Sequence, residues 1–324
     1  MKSPLPHTLR SASASPDNGP RRRWLALLAG SALVCAGWPL SSQAAPAAAP
    51  NPPGSGGADR ARPPRLVTVG GGITEVVYAL GAQAQLVGTD SSSLYPAASQ
   101  RTPKVGYLRQ LSAEGLLALR PDTLVAGTDA GPPVVLDQLR SAGVKLALIE
   151  SDHSWDEVIR KVETVGRVTG REAEASTLQQ RLQMRWAAVS AVVRQGARAT
   201  PPRVLFVLSH TGSLLVSGQG TAADAVIRFM GAHNALGGFK GYRPMTAESM
   251  AAAAPDVILM TTQGLLAVGG EDRFWQRPEL ALTPAYRHRQ ARRTLLHRDA
   301  LELLGFGPRL PDVIEQLHQR VVRA

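Results

Sequence analysis

Gly106-Tyr107-Leu108-Arg109-Gln110-Leu111-Ser112-Ala113-Glu114 is followed, seven residues after its Glu, by Pro121-Asp122, and the pattern returns later in the chain. There it reads Gly241-Tyr242-Arg243-Pro244-Met245-Thr246-Ala247-Glu248, with Pro255-Asp256 again seven residues on. An apolar run follows each copy: Thr123-Leu124-Val125-Ala126, then Val257-Ile258-Leu259-Met260. The period is far too long for a solenoid. It means two similar lobes, each offering one Tyr and one Glu at equivalent places.

Upstream segments extend the duplication. Ile73-Thr74-Glu75-Val76-Val77-Tyr78-Ala79-Leu80-Gly81-Ala82 parallels Ala223-Asp224-Ala225-Val226-Ile227-Arg228-Phe229-Met230-Gly231-Ala232. Both end in Gly-Ala, with the glycine placed to close a helix. Both follow an apolar, strand-like run, at residues 66–69 and 204–208. Three blocks in one order are hard to attribute to chance.

Around the first copy the pattern is α/β. Residues 67–88 read as strand, helix, strand. A helix over 112–120 has Ser112 as N-cap, a strand covers 124–127, a helix covers 134–142, and a strand covers 145–149. Such alternation predicts parallel sheets. No strand signal follows until Val204. Asp152 or Ser154 can cap a helix running to about Gly170, and a longer helix covers about 171–195. Its apolar residues Leu178, Leu182, Trp186, Val189 and Val193 recur at helical spacing. The expected fold is two parallel-sheet lobes joined by a long backbone helix, with a ligand cleft between them and limited lobe rotation. Residues 65–150 form the N-terminal lobe, 151–200 the interlobe helical segment and 201–324 the C-terminal lobe. An amphipathic helix over 310–322 is expected to be structural.

Arg21-Arg22-Arg23, the apolar run 24–36, Pro39 and Ser42-Gln43-Ala44 make residues 1–44 an export signal. The arginine pair also resembles a twin-arginine signal. Cys35, the only cysteine, falls inside this signal, so the mature chain has no thiol to offer. Residues 45–64 are a Pro/Gly/Ala linker expected to be disordered. Residues 1–44 hold five Lys/Arg and one Asp, so +7 of the total +11 stays with the mature chain. That charge suits an anionic ligand or membrane face. No basic run interleaved with aromatics marks a nucleic-acid path.

Enzyme signatures are missing: there is no Gly-x-Ser-x-Gly, His-Glu-x-x-His or P-loop pattern. The seven histidines include no pair at metal-ligand spacing. Gly70-Gly71-Gly72, at a strand-to-helix turn, is either a tight turn or a seat for a ligand carboxylate. Tyr107 and Arg109 stand two apart, so in an extended segment they point the same way. A cation beside a phenol favours phenolate, a hard anionic donor for iron. The pair also fits a buried Tyr beside a surface Arg.

From Arg65 onward the chain resembles the haem-binding periplasmic proteins of bacterial ABC importers. The likeness rests on Gly70-Gly71-Gly72-Ile73-Thr74-Glu75, Tyr95-Pro96, residues 104–115, Asp129-Ala130-Gly131-Pro132-Pro133, Val134-Val135-Leu136-Asp137-Gln138-Leu139, Thr246-Ala247-Glu248-Ser249 and Gly305-Phe306-Gly307-Pro308-Arg309. It implies that Tyr107 ligates haem iron, that Arg109 supports the phenolate, and that Glu114 and Glu248 dock on paired arginines of a two-fold permease. His210 ends the first strand of the second lobe, where it can meet haem or ligate a second one. Tyr242 is expected to line the cleft; Tyr95 is a reserve ligand.

The resulting expectation is a monomeric periplasmic carrier, not an enzyme. It would hand haem to an inner-membrane ABC permease with its ATPase, with an outer-membrane haem receptor system as an indirect partner. The alternatives are a cobalamin or ferric-siderophore binding protein, which leaves the Tyr–Arg pair without a use, and a periplasmic haem-processing enzyme.

Overall fold

The computed structural model describes residues 63–209, 213–291 and 294–322. The expected export signal, nearly all of the linker and His210 lie outside the described residues. The first lobe runs β1 (Leu66–Val69), α1 (Gly71–Ala79), β2 (Leu86–Thr89), α2 (Ala113–Ala118), β3 (Thr123–Gly127), α3 (Pro133–Ser141) and β4 (Lys145–Ile149). Its sheet has the order β2-β1-β3-β4, and every pair is parallel. The central strands β1 and β3 are buried almost throughout, Thr68 included, because both faces are covered.

Two helices cross to the second lobe: α4 (Trp155–Thr169) and α5 (Glu172–Gln195). Ser154 caps α4 by accepting from the Glu157 N–H at 3.1 Å, and Gly170 ends it in the left-handed region at φ +67°. Asp152, the other candidate cap, instead accepts from the Ser154 N–H and hydroxyl. On α5 the side chains of Leu178, Leu182 and Val189 are buried, and Trp186 stacks on Trp155 with ring centroids 4.6 Å apart.

The second lobe comprises β5 (Arg203–Ser209), β6 (Leu214–Ser217), α6 (Ala222–Phe229), β7 (His233–Asn234), β8 (Tyr242–Pro244), α7 (Ala247–Ala253), β9 (Val257–Thr261) and α8 (Thr262–Ala267). The short helices α9 (Glu271–Trp275) and α10 (Pro284–Arg287) precede β10 (Leu295–Arg298), α11 (Ala300–Leu304) and α12 (Leu310–Val322). The parallel core β10-β9-β5 matches the first lobe, but β6 and β8 add an antiparallel edge. Where Gly70 alone links β1 to α1, the second lobe inserts β6 before α6. That strand pairs with the end of β5, and β7 is confined to Arg203 and Val204 at its start.

One buried apolar cluster runs through both lobes. It joins Ile73 and Val77 of α1, Val162 of α4, Leu178 of α5, Val204 and Phe206 of β5, Ile227 of α6, and Ile314 of α12. Rotating one lobe against the other would expose this shared core, which limits interlobe motion.

The loop Gly305-Phe306-Gly307-Pro308-Arg309 closes the same seam. Arg309 forks onto Glu75 of α1 at 3.0 and 3.1 Å, bonds Glu302 at 2.9 Å, and covers the Tyr95 ring at 3.8 Å. Burial raises the Glu75 carboxyl, and the hydrogen bonds and charge of Arg309 pull it back. The Lys161 ammonium of α4, itself buried, donates to the Gly305 and Phe306 carbonyls. α12 docks on α5 through Arg185, which bonds Asp312 at 2.7 Å and Glu315 at 2.6 Å.

Candidate ligand site

Gly106 adopts φ +97°, a conformation that glycine reaches without strain, and its carbonyl accepts from the Ser91 N–H at 2.8 Å. The chain then turns: the Gln110 N–H donates to the Tyr107 carbonyl at 2.8 Å. Two backbone bonds of 2.9 Å, between Leu108 and Gly131 and between Leu111 and Gly131, pin this turn against the loop that leaves β3. The segment is therefore a turn rather than the extended stretch expected from sequence. It nevertheless brings the pair together, with Arg109 Nη1 donating to Tyr107 Oη at 3.2 Å.

The other arm of Arg109 is also held. Its Nη2 bonds Asp129 Oδ2 at 3.1 Å, and Ser151 Oγ donates to Asp129 Oδ1 at 2.9 Å. Sequence reasoning passed over Asp129 and Ser151. Both lie in loops that leave carboxyl ends of the first sheet, after β3 and β4, at the rim where ligands bind in open α/β sheets. The block Asp129–Pro133 was visible in the sequence, but its partner was not.

In the second lobe Gly241 takes φ +79°, so each copy of the repeat sets a left-handed glycine just before its tyrosine. Tyr242 opens the edge strand β8 and comes within electrostatic reach of Tyr107 and Arg109 of the first lobe. Burial raises its phenol; a hydrogen bond with Thr221 and the Arg109 charge lower it, and the nearby Tyr107 adds to the rise. The fold thus joins Tyr107 to Arg109, with Tyr242 within reach of their charge. Glu114 and Glu248 sit elsewhere, each exposed two residues past its helix cap. Ser112 caps α2 by accepting from Gly115, and Thr246 caps α7 in a reciprocal box with Ser249.

A family model described as periplasmic binding protein matches residues 66–294. The chain belongs to the periplasmic binding protein family. Its members are substrate-binding proteins rather than enzymes. Among solved structures, this binding protein is similar to the periplasmic heme-binding protein BhuT in complex with two hemes. They share 44% identity over 80% of this chain and 98% of that one, with TM-score 0.75. It is also similar to the periplasmic heme-binding protein RhuT from Roseiflexus sp. RS-1, at 37% identity, the same coverages and TM-score 0.74. An uncharacterized ABC transporter substrate-binding lipoprotein of Bacillus subtilis is 24% identical over 80% of each chain. A cobalamin-binding protein of Halobacterium salinarum is 30% identical over 61% of this chain, which spans only 53% of that relative's length. The chain is thus the periplasmic binding protein of an ABC importer.

Other sequence candidates in this periplasmic binding protein have structural roles. The Gly70 and Gly71 N–H groups are taken by Asp90 at 3.0 Å and Ser92 at 3.1 Å, so the glycine turn is not an anion seat. A Cβ on Gly72 would lie 2.1 Å from the Gly305 carbonyl; the glycine is there for close packing. Tyr95 is the platform for Arg309. Among the described residues no group of three or more His, Cys, Asp or Glu could hold a metal ion.

Proposed function

We propose that this protein captures haem between its lobes, takes the ferric iron on the Tyr107 phenolate, and delivers it to an inner-membrane ABC permease and its ATPase. The observation that carries this reading is the Tyr107–Arg109 pair. Tyr107 is 39% exposed, and a guanidinium donor stands 3.2 Å from its oxygen. Tyrosinate is a hard anionic donor suited to ferric iron, and a cation beside it stabilises that form when iron binds. Porphyrin is broad and apolar with two carboxylates. The segments around the first site expose Leu94, Tyr95, Tyr107 and Val134, and the second lobe exposes Tyr242 and Leu266. The net positive charge favours an anionic cargo.

Cobalamin is the second reading, favoured by the Halobacterium salinarum relative. The cobalt of cobalamin already carries its axial ligands, so a phenolate braced by arginine would serve no purpose. Calorimetry of the mature chain with haemin and with cyanocobalamin separates the two. Saturable haemin binding that cyanocobalamin does not displace is expected; the converse result would replace haem by cobalamin.

Docking on the permease is assigned to Glu114 and Glu248, one exposed carboxylate per lobe at equivalent helix starts. Glu114→Ala with Glu248→Ala is expected to leave haemin affinity unchanged and to stop uptake into vesicles that hold the permease and ATPase. Undiminished uptake would remove these residues from the docking face. The protein works in the periplasm after export, and no nucleic acid enters its function.

A further inference from the structure

Arg109 reaches the phenol with a single N–H from a long side chain that is 60% exposed. Left to itself such a side chain samples many rotamers, and ordering it opposes the contact. Asp129 removes that freedom. Its carboxylate takes Nη2 at 3.1 Å while Nη1 faces Tyr107. Asp129 is fixed in turn by the Ser151 hydroxyl at 2.9 Å. Gly127 makes room for this arrangement, since a Cβ there would stand 2.6 Å from Asp129 Oδ1 and 2.5 Å from Ser151 Oγ.

We infer that Asp129 is the positioning residue of the tyrosine site, holding the Arg109 guanidinium so that one N–H stays on the Tyr107 oxygen and sets how strongly the phenolate donates to iron. The inference rests on the haem reading above and deepens it. Asp129 acts through Arg109. Without it the guanidinium swings into solvent, and the phenolate loses its hydrogen bond. A phenolate relieved of its donor is the stronger electron donor. The ferric tyrosinate charge-transfer band then moves to longer wavelength and the Fe(III)/Fe(II) potential falls. The Arg109 N–H also fixes where the phenolate oxygen points, and a ring freed of it holds the iron less well. Disturbing such an orienting partner of a metal ligand typically costs at least about tenfold in metal affinity.

The test loads wild type, Asp129→Ala, Asp129→Asn, Arg109→Ala and the Arg109→Ala/Asp129→Ala double variant with haemin. It follows the charge-transfer band, the potential, and the rate of haem loss to apomyoglobin. Asp129→Ala is expected to shift the band to longer wavelength, lower the potential, and speed haem loss by about tenfold. Asp129→Asn keeps an acceptor oxygen and is expected to fall between it and wild type. In the double variant the Asp129 change is expected to add nothing to Arg109→Ala. The pair is exposed, so apo-protein melting should hardly move. An unshifted band and rate in Asp129→Ala, a slower loss, or additive effects in the double variant overturn the inference while the haem reading stands. A wild type without any tyrosinate band overturns both.

Discussion

Tyr107→Phe is expected to abolish the ferric tyrosinate charge-transfer band and to weaken haemin capture by more than about 100-fold, beyond the upper range for loss of an outer-shell partner. Titration of wild type and variant with haemin, followed by absorbance, measures both. Tyr242 is the rival ligand, because the fold brings it close to Arg109. One observation decides against it: the Arg109 hydrogen bond goes to Tyr107. Tyr242→Phe should therefore keep the band and lose little affinity. A band that survives in Tyr107→Phe and vanishes in Tyr242→Phe would reassign the iron to the second lobe.

The second large effect concerns the seam between the lobes. Lys161→Met is expected to destabilise the protein by about 3–5 kcal/mol, the usual cost of removing one partner of a buried ion pair. Lys161 Nζ lies 2.7 Å from Glu157 Oε1, 3.0 Å from the Gly305 carbonyl and 3.1 Å from that of Phe306. The Lys161 and Glu157 side chains are 6% and 4% exposed, so water cannot replace the lost contacts. Burial pushes the ammonium down, and Glu157 pulls it back. Phe306 is held at φ +48°, a left-handed conformation that a bulky residue keeps only when its surroundings impose it. Its ring is buried near Phe229 and His153. For a chain of this size the midpoint of thermal unfolding should fall on the order of 10 °C. Glu157→Leu placed on top should restore part of the loss, since no buried charge is then left alone. A loss below about 1 kcal/mol would place Lys161 among surface pairs and remove it from the seam.

Much of the site was legible because the chain repeats itself. Gly106-Tyr107 and Gly241-Tyr242 look alike since both tyrosines follow a glycine in the left-handed region. Ser112 and Thr246 mark the helix starts that carry Glu114 and Glu248. The connector was readable from caps and periodicity: Ser154, Gly170 and the stripe of Leu178, Leu182 and Val189. What escaped depends on loops meeting loops. The bonds from Leu108 and Leu111 to Gly131 turn the Tyr107 segment, and no local pattern announces them. Asp129 lies 20 residues beyond Arg109, and their bond exists only once the ends of the sheet come together. The edge formed by β6 and β8 was hidden because its strands are short and exposed in part. The glycines at 70–72 read as either a tight turn or a seat for a ligand carboxylate, and only the positions of Asp90, Ser92 and Gly305 decide for the turn.

Resonance Raman spectroscopy of the haemin-loaded chain, excited in its charge-transfer band, tests the tyrosinate-held haem most directly. Enhanced phenolate ring modes that shift in protein made with ring-deuterated tyrosine, and that disappear in Tyr107→Phe, are predicted. Saturable haemin without phenolate modes would contradict Tyr107 as the iron ligand, and no saturable haemin at all would contradict haem as the cargo.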